Sequence, residues 1–228
     1  WVSVDETSCT IVTVPEVKDR YYTVQFLNGW GETLANINER VFPTRPFGDF
    51  AACLSGSDVE LPQDILRIDL PVRHSRILAR VALGEDWDGA VALQHKFGLK
   101  ATGNPELPEV PVTPVFHLET FPGVEAFDAA DVALNSEPDM NPGLEDMTAR
   151  VRQIAEKAKQ PETREHVAEV IRTVAIPKIA KAGEIIGHGV VKNGWARPGA
   201  VGEYGIDWLS RTLVDYRGLW ANVKPEVL

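Results

Sequence analysis

The stretch DRYYTVQFLNGWGETLANINERVF, residues 19–42, decides the fold. Tyr22, Val24 and Phe26 alternate with Tyr21, Thr23 and Gln25, the two-residue period of a strand whose faces meet different surroundings. Asn28-Gly29-Trp30-Gly31 interrupts that period with residues that tolerate positive φ, and an extended pattern resumes from Thr33 to Val41. A β-hairpin follows, with Tyr22, Val24 and Phe26 buried on one face of a central strand.

Around the hairpin, residues 1–83 are β in character. Thr10 to Val14 is a β-branched run closed by Pro15, Asp49 to Leu54 and Ile65 to Leu70 are short runs, and Ser75 to Leu83 is longer. Short strands at this spacing predict an antiparallel β-sandwich or partly closed barrel, not a parallel sheet alternating with helices. Asp86 to Leu99 reads as a helix, with Asp86 as N-cap, Val91, Leu93, His95 and Phe97 available for burial, and Gly98 near its end.

Downstream the period changes. Residues 101–142 include GNPELPEVPVTP and read as an extended Pro/Gly-rich connector. Leu144, Met147, Val151, Ile154 and Ala158 then form one apolar stripe at helical spacing, and Val167, Val170, Ile171 and Val174 form a second. Pro177 should kink or divide the second helix, because it lacks a backbone donor and crowds the preceding turn. Gly187, Gly189 and Gly194 should end the helical run, and a last helix is expected from Tyr204 to Trp220. The fold class is therefore α+β. A β-rich domain with one closing helix covers 1–100, the connector 101–142, and a mainly helical segment 143–228.

The 228 residues suffice for a substantial core, and 44% hydrophobic with 25% charged residues is ordinary globular composition. A net charge of -10 and a pI near 5.0 disfavour long-range attraction to nucleic acid. No apolar run approaches the roughly 20 residues of a membrane span. Cys9 and Cys53 both fall in strand-like, apolar surroundings. A disulfide between them would suit a location outside the cytoplasm, but the reading prefers two buried thiols acting as small hydrophobes. The location stays open, with periplasm or secretion favoured over cytoplasm.

Three blocks, TVPEVKDRYYTVQFLNGWGETLANI at 13–37, the stretch 48–62 and LARVALGEDWDGAVALQHKFGL at 78–99, resemble the bacterial domain-of-unknown-function family 1254. GEYGIDWLSRTLVDYRGLWANVKPE at 202–226 resembles the segment that leads from that domain into its usual partner, domain-of-unknown-function family 1214. The resemblance implies a β-rich N-terminal domain, a helical connection and a second β domain beyond this chain. Two departures stand out: the family's PNNDTxY-like segment is missing before the first strand, and Asn28 stands where relatives carry aspartate, which removes a carboxylate role there. An uncovered sheet edge and exposed Trp208, Leu213 and Trp220 on the last helix would follow, so a missing second domain or a homo-oligomer is expected as partner.

No catalytic signature emerges. His74, His95, His117, His166 and His188 show neither HxH nor HExxH spacing, so no metal is expected. Gly187-His188-Gly189 combines close backbone approach with a group that titrates near neutrality, although a helix end with a surface histidine explains it as well. Ser55-Gly56-Ser57 lacks the context of a nucleophile elbow, and Gly29-Trp30-Gly31 is no phosphate loop; no cofactor is expected. Arg20, Arg40, Arg76 and Arg80 lie in or beside strands, near Tyr21, Tyr22 and Trp30. Arginines and aromatics can hold a carboxylate or a planar ligand by bidentate bonds and stacking. The ligand-binding candidates are therefore Arg20, Tyr21, Tyr22, Asn28, Trp30, Arg80 and His188. The functional expectation is a small-ligand-binding or interaction module of a two-domain protein. The alternative is part of a hydrolase acting on small organic compounds at a domain junction.

Overall fold

The computed structural model describes residues 1–105, 121–138, 140, 143–179, 191–192 and 195–196. His117, Gly187-His188-Gly189, Gly194, the helix expected over 204–220 and the 202–226 block lie outside those residues. The chain divides into two compact units, 1–109 and 110–228, and the fold class is α+β.

The first unit is a sandwich of two four-stranded sheets, not a closed barrel. One sheet has the order β1 (Val2–Ser3), β7 (His74–Val81), β3 (Tyr22–Leu27), β4 (Thr33–Ile37), antiparallel throughout. The other has the order β6 (Leu66–Leu70), β5 (Gly48–Leu54), β2 (Thr10–Val14), β8 (Gly98–Ala101). Its β5–β6 pair is parallel, contrary to the all-antiparallel expectation. The two-residue period that identifies a strand says which side faces the core and nothing about the direction of its neighbour.

The core lies between the sheets. Tyr22, Val24, Phe26 and Ile37 from the first meet Val12, Val14, Phe50, Ala52, Ile68 and Leu70 from the second. Phe42 adds an edge-on ring contact to Phe50, with centroids 5.4 Å apart. The burial expected for Tyr22, Val24 and Phe26 is what the structure shows. β3 turns into β4 through Asn28: its backbone carbonyl accepts from Gly31 N, and Gly31 takes a φ of 77° that a side chain would disfavour.

Two boundaries differ from expectation. β4 ends at Ile37, four residues early, because the Asn38 side-chain oxygen accepts from both Arg40 N and Val41 N and turns the chain. α1 (Trp87–Gln94) starts as expected, Asp86 accepting from Gly89 N at 2.9 Å, but stops before Gly98, which opens β8 and pairs with Thr13. Leu93 and Phe97 pack against the core while His95 is exposed.

The preference for free cysteines is corrected. The β2–β5 register, Thr10 opposite Ala52, extends one step to set Cys9 opposite Cys53, and the two form a disulfide with Cα atoms 4.5 Å apart. That is the spacing of a narrow antiparallel pair, close enough for a bridge. Both cysteines are fully buried on the outer side of this sheet, where Val59, Leu61 and Ile65 of the β5–β6 connection pack over them with Ile11 and Ala51.

A tight turn precedes β2. Asp5 accepts from Ser8 Oγ at 2.7 Å, Thr7 N at 2.8 Å and Thr7 Oγ1 at 2.9 Å. These donors, Ser8 first, lower its pKa from 3.8 to about 2. A folded-state value below the unfolded one stabilises above the unfolded value and is lost as pH falls through the folded one. Asp5 should thus support the fold above about pH 4 and cease to do so towards pH 2. A carboxyl NMR titration should place its midpoint near 2; a midpoint at the ordinary value would contradict the turn geometry.

In the second unit, residues expected as connector are helical: a 3-10 turn (Val124–Ala129) runs into α2 (Ala130–Ser136). α3 (Glu145–Ala158) and α4 (Pro161–Val170) follow, α4 with Pro161 in its first turn, where the missing donor costs nothing. Arg164 clasps the Asp128 carboxylate through two bonds of 2.7 and 2.8 Å, and Arg152 reaches Asp131 and Asn135. Of the expected stripe of α3, Leu144 and Ala158 are buried and Met147 and Val151 half-buried, while Ile154 is exposed and the adjacent Ala155 is buried instead. Val170 and Val174 are likewise exposed. Pro177 does not divide the helix. Ile171–Ala175 widens into a π turn in which Ile176 N reaches back five residues to Ile171 O, and the helix continues to residue 179. A strand pair, β9 (Val191–Lys192) and β10 (Trp195–Ala196), completes the described part.

Candidate functional site

The hairpin brings its two outer ends together. Continuing the β3–β4 register beyond Val24 opposite Ile37 sets the entry of β3 beside the exit of β4. Between them lies an open groove of about 430 Å³ lined by Asp19, Arg20, Tyr21, Tyr22, Asn38, Glu39 and Arg40.

Tyr22 belongs to the core as well as the groove. Its ring is buried and its hydroxyl donates to the Pro46 carbonyl. Burial raises the hydroxyl pKa, and the Glu39 carboxylate adds to that rise. Tyr21, the residue before it, points the other way and is 59% exposed. Its carbonyl accepts from Ala82 N at 2.9 Å, which ties the groove wall to the end of β7.

Arg20 is a clamp. Its guanidinium donates to the carbonyls of Ala82, Leu83 and Asp86 and forms a 3.0 Å ion pair with the Asp86 carboxylate. Asp86 also caps α1, so Arg20 fixes the helix start against the groove. Both terminal nitrogens reach the Asp86 carbonyl, and the five bonds in all leave that fork little capacity for a ligand.

Asn38 holds the other wall: its oxygen accepts from Arg40 N and Val41 N, and its amide donates to Thr23 Oγ1 at 3.3 Å. Glu39 and Arg40 on that turn are exposed. Among the described residues the Arg40 guanidinium makes no hydrogen bond or ion pair. Asp19 has a φ of 55°, a left-handed conformation rare for a residue with a side chain, directly at the groove rim.

Of the candidates named from sequence, the groove unites Arg20, Tyr21 and Tyr22. Asn28 and Trp30 sit at the far end of β3, about 20 Å away at 3.3 Å per residue. Asn28 is buried there as an organiser of the turn, accepting from Trp30 N and Glu32 N and donating to Glu32. Arg80 lies on the outer sheet face and donates to Gln25 at 2.7 Å. Asp19, Asn38 and Glu39 were not among the site candidates, and Arg40, weighed with the strand arginines, was not carried into them, although the polar run that ends β4 and the antiparallel register together point to all four. Among the described residues no three His, Cys, Asp or Glu side chains converge as metal ligands, and no helix is long and apolar enough to cross a membrane.

Residues 1–101 match a family described as protein of unknown function, DUF1254. The blocks at 13–37, 48–62 and 78–99 fall within that match, and 202–226 falls outside it. Among solved structures, the VPA0106 protein from Vibrio parahaemolyticus is similar over 73% of this chain and 46% of its own, at 16% identity and a TM-score of 0.38. The chain thus spans less than half the length of that protein. No curated protein matches the chain at a significant level.

Proposed function

We propose that the β-sandwich unit is a small-ligand-binding module and that the groove between the entry of β3 and the exit of β4 is its site. One observation carries this reading: an exposed tyrosine face and an arginine whose guanidinium has no hydrogen-bond or ion-pair partner among the described residues share the rim of a groove whose walls are held by Arg20, Asn38 and the core residue Tyr22. Rigid walls with a few uncommitted polar groups are the usual make-up of a ligand site. The ligand this rim suits is a planar organic anion, its ring against Tyr21 and its negative group on Arg40. Asp19 and Glu39 on the same rim select against polyanions by like-charge repulsion.

Screening planar organic acids by NMR should identify ligands that shift residues 19–22 and 38–40. Arg40→Ala and Tyr21→Ala should each weaken such a ligand about tenfold, the equivalent of about 1.4 kcal/mol. Both side chains are exposed, so thermal stability should stay unchanged. Shifts confined to other surfaces, or unaltered affinity in both variants, would refute the assignment.

A further inference from the structure

The chain has 33 acidic residues, yet no strand of the β1–β7–β3–β4 sheet contains aspartate or glutamate. The register defines the two faces of this sheet. Val24, Phe26 and Ile77 turn inward to the core. Ser3, His74, Arg76, Leu78 and Arg80 turn outward with Thr23, Gln25 and Leu27.

Donors on the outward face outnumber acceptors. Arg80 donates to Gln25, Gln25 to Thr33, and Ser3 Oγ pairs with His74 Nδ1 at 2.9 Å. Arg76, in register opposite Leu27, is left over. Its Nε is buried with no hydrogen-bond partner, and among the described residues its guanidinium makes no hydrogen bond or ion pair. An unbonded N–H on a buried cationic nitrogen is unfavourable and rare in folded proteins. The residue as a whole is only half-buried and its terminal nitrogens are not among the buried unpartnered atoms, so an acceptor can meet the guanidinium from outside and reach Nε once the side chain turns outward.

We propose that Arg76 is the centre of a second binding site, for a small monocarboxylate, on the outward face of this sheet, with the His74–Ser3 pair beside it. A planar carboxylate can accept side-on from Nε and one terminal nitrogen of a guanidinium, which satisfies the orphaned donor and offsets the charge together. Burial, and secondarily Arg73, lower the pKa of His74, so at neutral pH the imidazole contributes no full charge. One net positive charge suits a monoanion better than a phosphate dianion. Arg76 lies four residues, about 13 Å, from Arg80 along β7, and Thr23 opposite Arg80 bonds the groove residue Asn38. The two sites are therefore distinct and independently testable.

The test is NMR on the intact chain, following the Arg76 Nε–H resonance and the amides of 74–78 as sodium acetate, propionate or benzoate replaces chloride at constant ionic strength. The expected result is a saturable shift of the Nε–H signal with carboxylates and none with chloride. Arg76→Gln and Arg76→Lys should each weaken binding at least tenfold, the lysine variant because it keeps the charge and loses the fork. Arg40→Ala should leave it unchanged. Equal effects of chloride and carboxylate, or full binding by Arg76→Lys, would overturn the proposal, and the wild-type signal decides even if the glutamine variant fails to fold. A carboxylate held more tightly as the end of a peptide than as a free acid would confirm the chemistry and identify the source; loss through Arg40→Ala would overturn a separate site.

Discussion

Phe26→Ala is expected to cost about 3 to 5 kcal/mol, the range for truncating a fully buried aromatic. Phe26 has no exposed surface and sits mid-strand in β3, between Ala35 of β4 and Ile77 of β7. It belongs to the cluster that joins the two sheets, with Val24, Ile37 and Phe50. These neighbours are held by ladders on both sides, so the cavity cannot collapse without breaking register, and the loss should fall in the upper part of that range. Equilibrium unfolding in urea should show the midpoint fall with an unchanged slope. A loss below about 1 kcal/mol would mean that the β3 register or the sheet packing is wrong.

The strand positions were legible because they rest on local chemistry. TIVTV at 10–14, the alternation at 22–26 and the turn at Asn28-Gly29-Trp30-Gly31 each carry their own signal, and the structure follows them within a residue or two. What misled were choices made by residues far apart. The parallel β5–β6 pair and the Cys9–Cys53 bridge depend on which strand lies beside β5, and periodicity holds no record of that. The early end of β4 was local, a side-chain cap by Asn38, and was hidden by the β-like Val41 and Phe42 that follow.

The groove was half legible for a related reason. Arg20, Tyr21 and Tyr22 attract notice as arginine beside aromatics, but their roles separate only once partners are known: clamp, rim and core. Arg40, weighed with the other strand arginines, is singled out by a property no sequence shows: among the described residues its guanidinium has no hydrogen-bond or ion-pair partner. Arg76 differs again, since its significance is the single buried nitrogen on a sheet from which acids are missing. The composition of those strands was readable from the outset; the orphaned donor was not.

Reducing the Cys9–Cys53 disulfide, or replacing both residues by alanine, should destabilise the first unit by roughly 4 kcal/mol, the chain-entropy value for a closed loop of this length. The bridge spans 44 residues, from the start of β2 to the end of β5, and so closes a loop containing the whole β3–β4 hairpin. In the unfolded chain it excludes the conformations in which β2 and β5 are far apart. Both sulfurs are buried beneath the β5–β6 connection, so a reductant has no direct approach to them in the folded state. Dithiothreitol alone should therefore leave the bond intact for as long as the sandwich stays closed, and the same reductant with denaturant should break it rapidly. A structural bridge of this kind persists in oxidising compartments, so expression in a reducing cytosol should yield the less stable form. The comparison is a pair of urea curves, oxidised against reduced, with thiol labelling followed by mass spectrometry to count free cysteines. Equal midpoints, or labelling of the folded oxidised protein by a thiol reagent, would show that Cys9 and Cys53 are not joined.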